Sequence, residues 1–512
     1  MPNVWNAASA PIHRREGFAA LGLSALFAHD DHAMLRHGFA LHDALSPVPR
    51  PAGGDARMAA AGMMRAQAPT VPSFAEAARL WLMVGLLSFG GAAGQIAMMH
   101  RMVVEERRWV GERRYLNALN FCTLLPGPEA QQLATYLGWL LHGVAGGIAA
   151  GALFVLPGAA LMAVLAAIYG LYGKVALVEA LFFGLKGAVL AIIAEALWRI
   201  GRRALHGPLA VALAVAAFAA LFAFRLPFPL VVLGAGGIGL AAGLAGRTWF
   251  TGAAHGRAGA GPAVGAIDRL LDDPASAGLH RARATTARRA GIAALAVWLA
   301  TVIAFALTGG VFGDIALFFA KMAVVTFGGA YAVLAWVAQD AVHLYRWITP
   351  GEMVDGLALA ETTPGPTILV LQFVAHLAAF REGGLWAGLT GGALCVFVTF
   401  APSFAWIFLG GPSVERIAAR RELASALAAI TAAVVGVVAN LALVVALPVL
   451  FGAVGQWQAG PVSLPAPVLS SIDPHAVIVA AAGFAGLFVV QLGLFRTLGL
   501  CAALGLALRL IV

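Results

Sequence analysis

Two short patterns in this chain could do chemistry, because each interrupts an apolar run and each occurs twice. Pro126-Gly127-Pro128 and Pro364-Gly365-Pro366 form the first pair. Two prolines delete two backbone donors and the glycine between them adds freedom, so a helix must break there. In lipid a broken helix is tolerated only when buried in protein or lining a cavity. A break exposes helix N-termini, whose free N–H groups and positive dipole end attract anions. Phe89-Gly90-Gly91 and Phe327-Gly328-Gly329 form the second pair. Paired glycines permit close helix packing or an unwound stretch. A single kink of either kind is commonly structural. Breaks at corresponding places in two halves point to a substrate site.

Charged groups inside an apolar segment are costly and usually functional. Lys186 and Lys321 lie in such segments and are two of the three lysines in the chain. Glu129 follows the first PGP, and Glu361 precedes the second by three residues. Lys321 is the leading candidate for an anion contact, since Met83 holds the matching place in the first half. Glu179 and Lys186 share a helix face, and an internal ion pair between them is the plainer alternative. Gln131, Gln132, Gln372 and Asn440 could donate hydrogen bonds, although helix–helix contact is the commoner role of such residues. Other chemistries are missing. The chain has no Walker loop, no GxGxxG in a strand–helix setting, no HExxH and no CxxCH. Cys122, Cys395 and Cys501 sit in apolar runs and read as core residues. The expectation is a protein without cofactor or metal, and not an enzyme.

The elements that position these residues are membrane helices. Of 512 residues, 61% are hydrophobic and 11% charged, and mean hydropathy is +0.87. A soluble chain could not cover its surface with so few charges. Several apolar runs exceed the length needed to cross about 30 Å of hydrocarbon. The net charge of +9 is carried almost wholly by Arg, mostly in loops, and does not imply nucleic-acid binding. Apolar segments fall near 77–100, 118–142, 144–172, 175–200, 204–224, 226–246, 290–309, 313–338, 354–380, 384–410, 423–451, 475–492 and 493–512. Residues 1–70 read as a disordered extension, with Met63 or Met64 an alternative start; a basic pair before the apolar stretch Gly17–Ala28 faintly resembles a signal peptide.

The halves are related. Residues 88–128 align with 326–366 at one offset, 238, with about 12 identities. The predicted organisation is a first repeat over 71–246, a basic cytoplasmic linker over 247–289, an extra transmembrane helix over 290–309 and a second repeat over 310–512. With the amino end inside, Arg199–Arg203, the linker, Arg416–Arg421 and Arg496 all fall inside. The Arg-free loop 452–474 falls outside. The extra helix then inverts the second repeat. The predicted fold is an all-α polytopic membrane protein with two inverted-topology repeats of about six helices, broken at the FGG and PGP motifs. One loop disagrees: 100–116 carries five Arg yet falls outside in this count, so either Glu105, Glu106 and Glu112 tie them up locally or the count is wrong there. Re-entrant hairpins at 77–100 and 118–142 would remove the conflict, and the same behaviour in both repeats would leave nine spans.

The stretch SFGGAAGQIAMMHRMVVEERRWVGERRYLNALNFCTLLPGPEAQQLATYLGW resembles the first-half signature of the chromate ion transporter family, and TFGGAYAVL with ETTPGPTILVLQFV resembles its second half. The resemblance runs from about Pro72 to the carboxyl end and implies the long-chain, two-repeat type. It implies efflux of chromate across a bacterial inner membrane, giving chromate resistance, with sulfate the related anion. The family's conserved positions carry over as Phe89, Gly90, Gly91, Pro126, Gly127, Pro128, Phe327, Gly328, Gly329, Pro364, Gly365 and Pro366. The expected substrate contacts are these with Glu129, Lys186, Lys321 and Glu361. Proton coupling through Glu129 or Glu361 is the accompanying expectation. The competing readings are transport of sulfate or another oxyanion, inward or by exchange, a channel, and a membrane reductase. The expected partners are the anion and the bilayer; a homodimer is one candidate for the oligomeric state.

Residues 1–62 lack an apolar span and should be dispensable. A chain begun at Met63 is expected to insert and transport normally. Lost transport at normal expression would assign the extension a function.

Overall fold

The computed structural model describes residues 70–89, 91–247, 249–250, 264–272, 277–327, 330–414 and 421–510. The first repeat contains α1 (Phe74–Leu87), α2 (Gly91–His100), α3 (Glu112–Leu124), α4 (Glu129–Tyr172), α5 (Ala176–Ala204), α6 (Pro208–Phe222) and α7 (Phe228–Leu244). A linker helix, α8 (Ala266–Leu271), and a long helix, α9 (Ala277–Thr308), follow. The second repeat contains α10 (Gly310–Val325), α11 (Ala330–Gln339), α12 (Pro350–Thr362), α13 (Val370–Gly410), α14 (Arg421–Leu450), α15 (Pro474–Phe484) and α16 (Leu494–Leu510). Between α14 and α15, β1 (Val454–Ala459) and β2 (Val462–Pro467) form an antiparallel hairpin. The sequence reading placed the extra helix at 290–309. The helix begins earlier because the Arg-rich stretch 281–289 continues it beyond the apolar run.

The repeat persists in fine detail. α1, α3, the π-helical turn after α2 and the turn after it all recur in the second half. Trp109 N–H donates to Val103 O at 2.9 Å, and Trp347 N–H to Ala341 O at 2.8 Å. Arg108 and Arg346 both take left-handed backbone, at φ 52° and 54°. α4 and α13 each reverse direction inside, at His142–Gly143 and Gly383–Gly384. Each is therefore a hairpin of two antiparallel arms. In both, the second residue of the pair is a glycine, Gly143 or Gly384, and supplies the positive φ that the reversal needs.

Hydrogen bonds sort the turns onto two sides. His142 Nε2 lies 2.9 Å from Pro72 O, and Arg283 donates to Leu140 O. Ala266 and Ile267 N–H donate to Arg108 O and Trp109 O. Arg114 pairs with Asp268 at 2.6 Å and with Asp272 at 2.7 Å. The start of α1, the loop after α2, the turn inside α4 and the linker therefore share one side. α1 is 14 residues long, about 21 Å, and α3 is 13, so neither crosses a core of about 30 Å. α1–α2 enters, breaks at Ser88-Phe89 and returns. α3 enters, breaks at PGP and returns as the first arm of α4. Both turn back to the side on which they start, the arrangement that the re-entrant alternative for 77–100 and 118–142 expects.

In the second repeat Arg381 donates to Trp347 O and pairs with Glu352 at 2.6 Å. That joins the loop after α11 to the turn inside α13. Phe380 at that turn lies against Gly170 near the end of α4. These mark the opposite side, which also holds the β-hairpin, where Ser463 N–H donates to Ala223 O. Among the described residues five helices are long and apolar enough to cross a membrane, α4, α5, α9, α13 and α14, while α6, α7 and α15 are shorter apolar helices. One of the five, α9, stands between the repeats and inverts the second. Long helices are exchanged: α5 packs on α15 and α16, and α14 on α6 and α7. A Cβ on Gly184 would lie 2.2 Å from Cys501 O, and one on Gly436 would lie 2.0 Å from Ala214 O. Small residues thus let backbones touch, as lipid-embedded packing requires.

Arg113→Cys, Arg346→Cys and Gln458→Cys replace exposed residues in a chain whose three native cysteines are buried. An impermeant thiol reagent is expected to label Arg346→Cys and Gln458→Cys from one side and Arg113→Cys from the other. Labelling of Arg113→Cys and Arg346→Cys from the same side would overturn the inverted arrangement.

Candidate anion site at the crossed helix breaks

The two breaks of one repeat are completed by those of the other. Gly127 N–H donates to Thr326 O at 2.9 Å, and Gly365 N–H donates to Ser88 O at 2.8 Å. These two bonds superimpose under the 238-residue offset. Each PGP glycine is thus tied to the residue before the other repeat's FGG. Gly127 and Gly365 hold φ of +119° and +96°, which an L side chain rarely adopts. Around the first, α3 ends at Leu124, Pro128 caps with extended backbone, and α4 begins at Glu129. Around the second, a 3-10 turn, Thr367–Leu369, precedes α13 and adds three residues. Gly158 in α4 makes room for the second break, since a Cβ there would stand 2.2 Å from Pro364 O.

A shell of buried amides and hydroxyls surrounds the breaks. Gln95 donates to Gly365 O at 2.7 Å, and Gln132 to Pro126 O at 2.7 Å. Gln131 donates to Phe400 O at 3.4 Å and Gln372 to Ala159 O at 2.9 Å. This second pair is again reciprocal, at an offset of 241, the three added residues included. Five buried polar atoms in this shell have no partner among the described residues: Ser88 Oγ, Gln131 Oε1, Gln132 Oε1, Gln372 Oε1 and Ser403 Oγ. An orphaned buried polar group costs about 1–3 kcal/mol. Other such atoms lie elsewhere, at Trp139, His142, His376, Trp406, Ser425 and Ser463, and these five lie near the breaks. Hydroxyls can donate to an anion, and turning a Gln amide exchanges its acceptor for a donor. α2 and α4 start at the breaks, and their first N–H groups have no partner within the helix.

The predicted residues separate into groups. Pro126-Gly127-Pro128 lies against Thr326 and Pro364-Gly365-Pro366 against Ser88, and Gly91 starts α2 at φ +74° beside Thr367. Gly90, Gly328 and Gly329 lie outside the described residues. Phe89 packs edge-on against Phe495, ring centroids 4.9 Å apart, and Phe327 packs half-buried against the core. Glu129 stands in the first turn of α4, with no hydrogen bond or ion pair among the described residues. Glu361 is buried and accepts a hydrogen bond from Tyr331 at 2.8 Å. Lys321 is exposed on α10, unpaired among the described residues. Lys186 does not pair with Glu179. Seven residues of helix separate those two by about 10 Å of rise, and the ammonium instead meets Asp355 at 3.3 Å.

Ser88, Gln95, Ser403, Tyr331, Tyr169 and Asp355 were not singled out from the sequence. Ser88 adjoins FGG and matches Thr326, and Asp355 is an acid within the helix that carries Glu361; both signals were visible. Gln95, Ser403 and the tyrosines reach their places only through packing between distant segments.

Gly158→Ala forces Pro364 O to move and should lower the thermal midpoint of the detergent-purified protein, at a cost of about 1–3 kcal/mol. Gly234→Ala, whose Cβ would meet nothing within 4 Å, should leave it unchanged. Equal midpoints for the two variants would contradict the close approach at the second break.

The family model described as chromate transporter matches residues 75–240 and 313–506, one match in each repeat. A "Chromate transport protein" of Pseudomonas aeruginosa is 33% identical over 380 residues, covering 72% of this chain and 80% of that one. A "Probable chromate transport protein" of Synechococcus elongatus is 25% identical over 418 residues, covering 80% and 95%. A "Chromate transport protein" of Cupriavidus metallidurans is 25% identical over 369 residues, covering 72% and 81%. No solved structure matches. The chain belongs to the chromate transporter family.

Proposed function

We propose that the protein is a secondary active transporter that exports chromate from the cytoplasm across the bacterial inner membrane and so confers chromate resistance. The observation that carries the reading is the crossed pair of breaks, with buried polar atoms near them that have no partner among the described residues. Chromate is a tetrahedral dianion whose hydration must be replaced by several donors. Helix N-termini, hydroxyls and amides offer such donors without a permanent charge in the apolar interior. In this reading FGG and PGP form the anion site. Glu129 and Glu361, at its edge, are the groups through which protons couple, and Lys321 lies apart from the contacts.

The charge distribution supports a cytoplasmic linker side. Five Arg lie between Arg101 and Arg114 on that side, whereas the matching loop of the second repeat has Arg346 alone. An inside-negative potential then favours export, since each charge moved gains about 2.3 kcal/mol per 100 mV.

Inverted vesicles test the reading through uptake of labelled chromate, with sulfate as competitor and an uncoupler as control. Saturable uptake that the uncoupler abolishes is expected. Pro126→Ala with Pro128→Ala, and Pro364→Ala with Pro366→Ala, should insert normally and lose uptake. Lys321→Gln should lose less than either pair. Normal uptake by both proline pairs would show that the breaks are kinks and move the anion site elsewhere. Uptake that never saturates would make the protein a channel.

A further inference from the structure

A second polar cluster joins the two repeats on the β-hairpin side of the breaks. Asp355 of α12 is 5% exposed. Its Oδ1 lies 3.3 Å from Lys186 Nζ of α5, and its Oδ2 accepts a hydrogen bond from Tyr169 of α4 at 2.7 Å. One carboxylate of the second repeat is thus held by a cation and a hydroxyl of the first. Asp355 lies one and two-thirds turns before Glu361 on α12, so the cluster stands about 9 Å along the helix from the edge of the break. Lys186 is not sealed in. Its side chain keeps 26% exposure. Its ammonium abuts Gly351 in the first turn of α12, where no side chain stands over it. The cluster has no counterpart in the first repeat: under the offset of 238, Asn117 takes the place of Asp355.

We infer that Lys186 and Asp355 form a proton-linked anion relay on the β-hairpin side of the central site, where Asp355 and an oxyanion compete for the Lys186 ammonium and Tyr169 positions the carboxylate. The inference rests on the anion-transport reading above. When Asp355 is ionised, its carboxylate occupies Lys186. When a proton from the facing water binds Asp355, the carboxyl becomes neutral and Lys186 is left to an arriving or departing dianion. No bond other than the O–H forms or breaks, and Lys186 stays charged throughout. A buried charge with its partner removed seeks another, and a dianion supplies one. Among the described residues, the charged and titratable groups that act on Asp355 are Tyr169 from α4, Lys186 from α5 and Glu352 on α12 itself, while Arg381 from α13 acts on Tyr169 and Glu352. Glu352 is already held by Arg381 at 2.6 Å and caps α12 through Thr349. Asp355 is therefore the carboxylate left to govern Lys186. Glu361 lies further along, held by Tyr331, within the influence of Arg199 and Glu195.

Anion exchange in right-side-out vesicles loaded with unlabelled anion tests the relay, with labelled chromate and labelled sulfate outside. Sulfate does not titrate near neutrality and separates the protein's proton from chromate's own. In the wild type, KM for external sulfate should fall by about threefold or more as pH is lowered through the range in which Asp355 takes up its proton, since protonation frees Lys186. Asp355→Asn should hold the lower KM at every pH. Lys186→Gln should hold a raised KM at every pH, and Lys186→Arg should restore the wild-type profile. Tyr169→Phe should displace the midpoint of the profile without abolishing exchange. A wild-type pH profile in Asp355→Asn, at normal protein level, would overturn the relay, as would unaltered KM in Lys186→Gln. A wild type that exchanges sulfate but not chromate would overturn the chromate reading while the relay is still read with sulfate. A wild type that exchanges neither would overturn both.

Discussion

In a hydrocarbon core every backbone N–H and C=O must find a partner within the protein, and that constraint governs the centre of this molecule. Breaking a helix liberates such groups, and this chain breaks four. The described structure satisfies the breaks by crossing them: Gly127 bonds Thr326 O, and Gly365 bonds Ser88 O. Neither repeat could bury its own breaks alone. The duplication is therefore structural as well as ancestral, because each half supplies the acceptor that the other half's proline-flanked glycine requires. The same reciprocity extends outward to Gln131 with Phe400 O and Gln372 with Ala159 O. It is completed by the exchange of α5 and α14 between the halves.

Symmetry of this kind builds a site and also limits what the site can do, since a perfectly symmetric transporter has no preferred side. The asymmetries are few and lie where direction could be set. Glu129 follows one PGP, while the 3-10 turn Thr367–Leu369 follows the other. Glu361 and Tyr331 have Thr123 and Ala93 at their matching positions. The linker helix α8 clamps the loop after α2 through Asp268, which accepts from Gly111 and Gly265 N–H and pairs with Arg114. The matching loop of the second repeat is instead tied by Arg381. The two faces of the molecule are thus held by different chemistry around a common centre.

Much of this was legible in the sequence. The fixed offset exposed the repeat, and the paired PGP and FGG motifs exposed the breaks, because Pro and Gly act through local backbone rules. The five Arg of loop 100–116 stood against the count of thirteen spans, and either local pairing with Glu105, Glu106 and Glu112 or a turn back of the preceding segment could account for them. What was not legible depends on contacts between distant segments. The partner of Lys186 is 169 positions away, at Asp355, and no periodicity on α5 could have revealed it. The crossing of Gly127 to Thr326 likewise spans 199 positions. The three-residue shift that brings Gln131 and Gln372 into register hides behind a short turn that hydropathy does not detect.

The central claim is that an oxyanion is held where the four breaks cross. Structure determination of the full chain with selenate, a tetrahedral dianion whose anomalous scattering locates it, tests this directly. The account predicts an anomalous peak within hydrogen-bond distance of the N–H groups that open α2 or α4, beside Ser88, Ser403 or the buried glutamines. A peak found only at surface arginines, with the centre between Gly127 and Gly365 closed and unchanged, would contradict it.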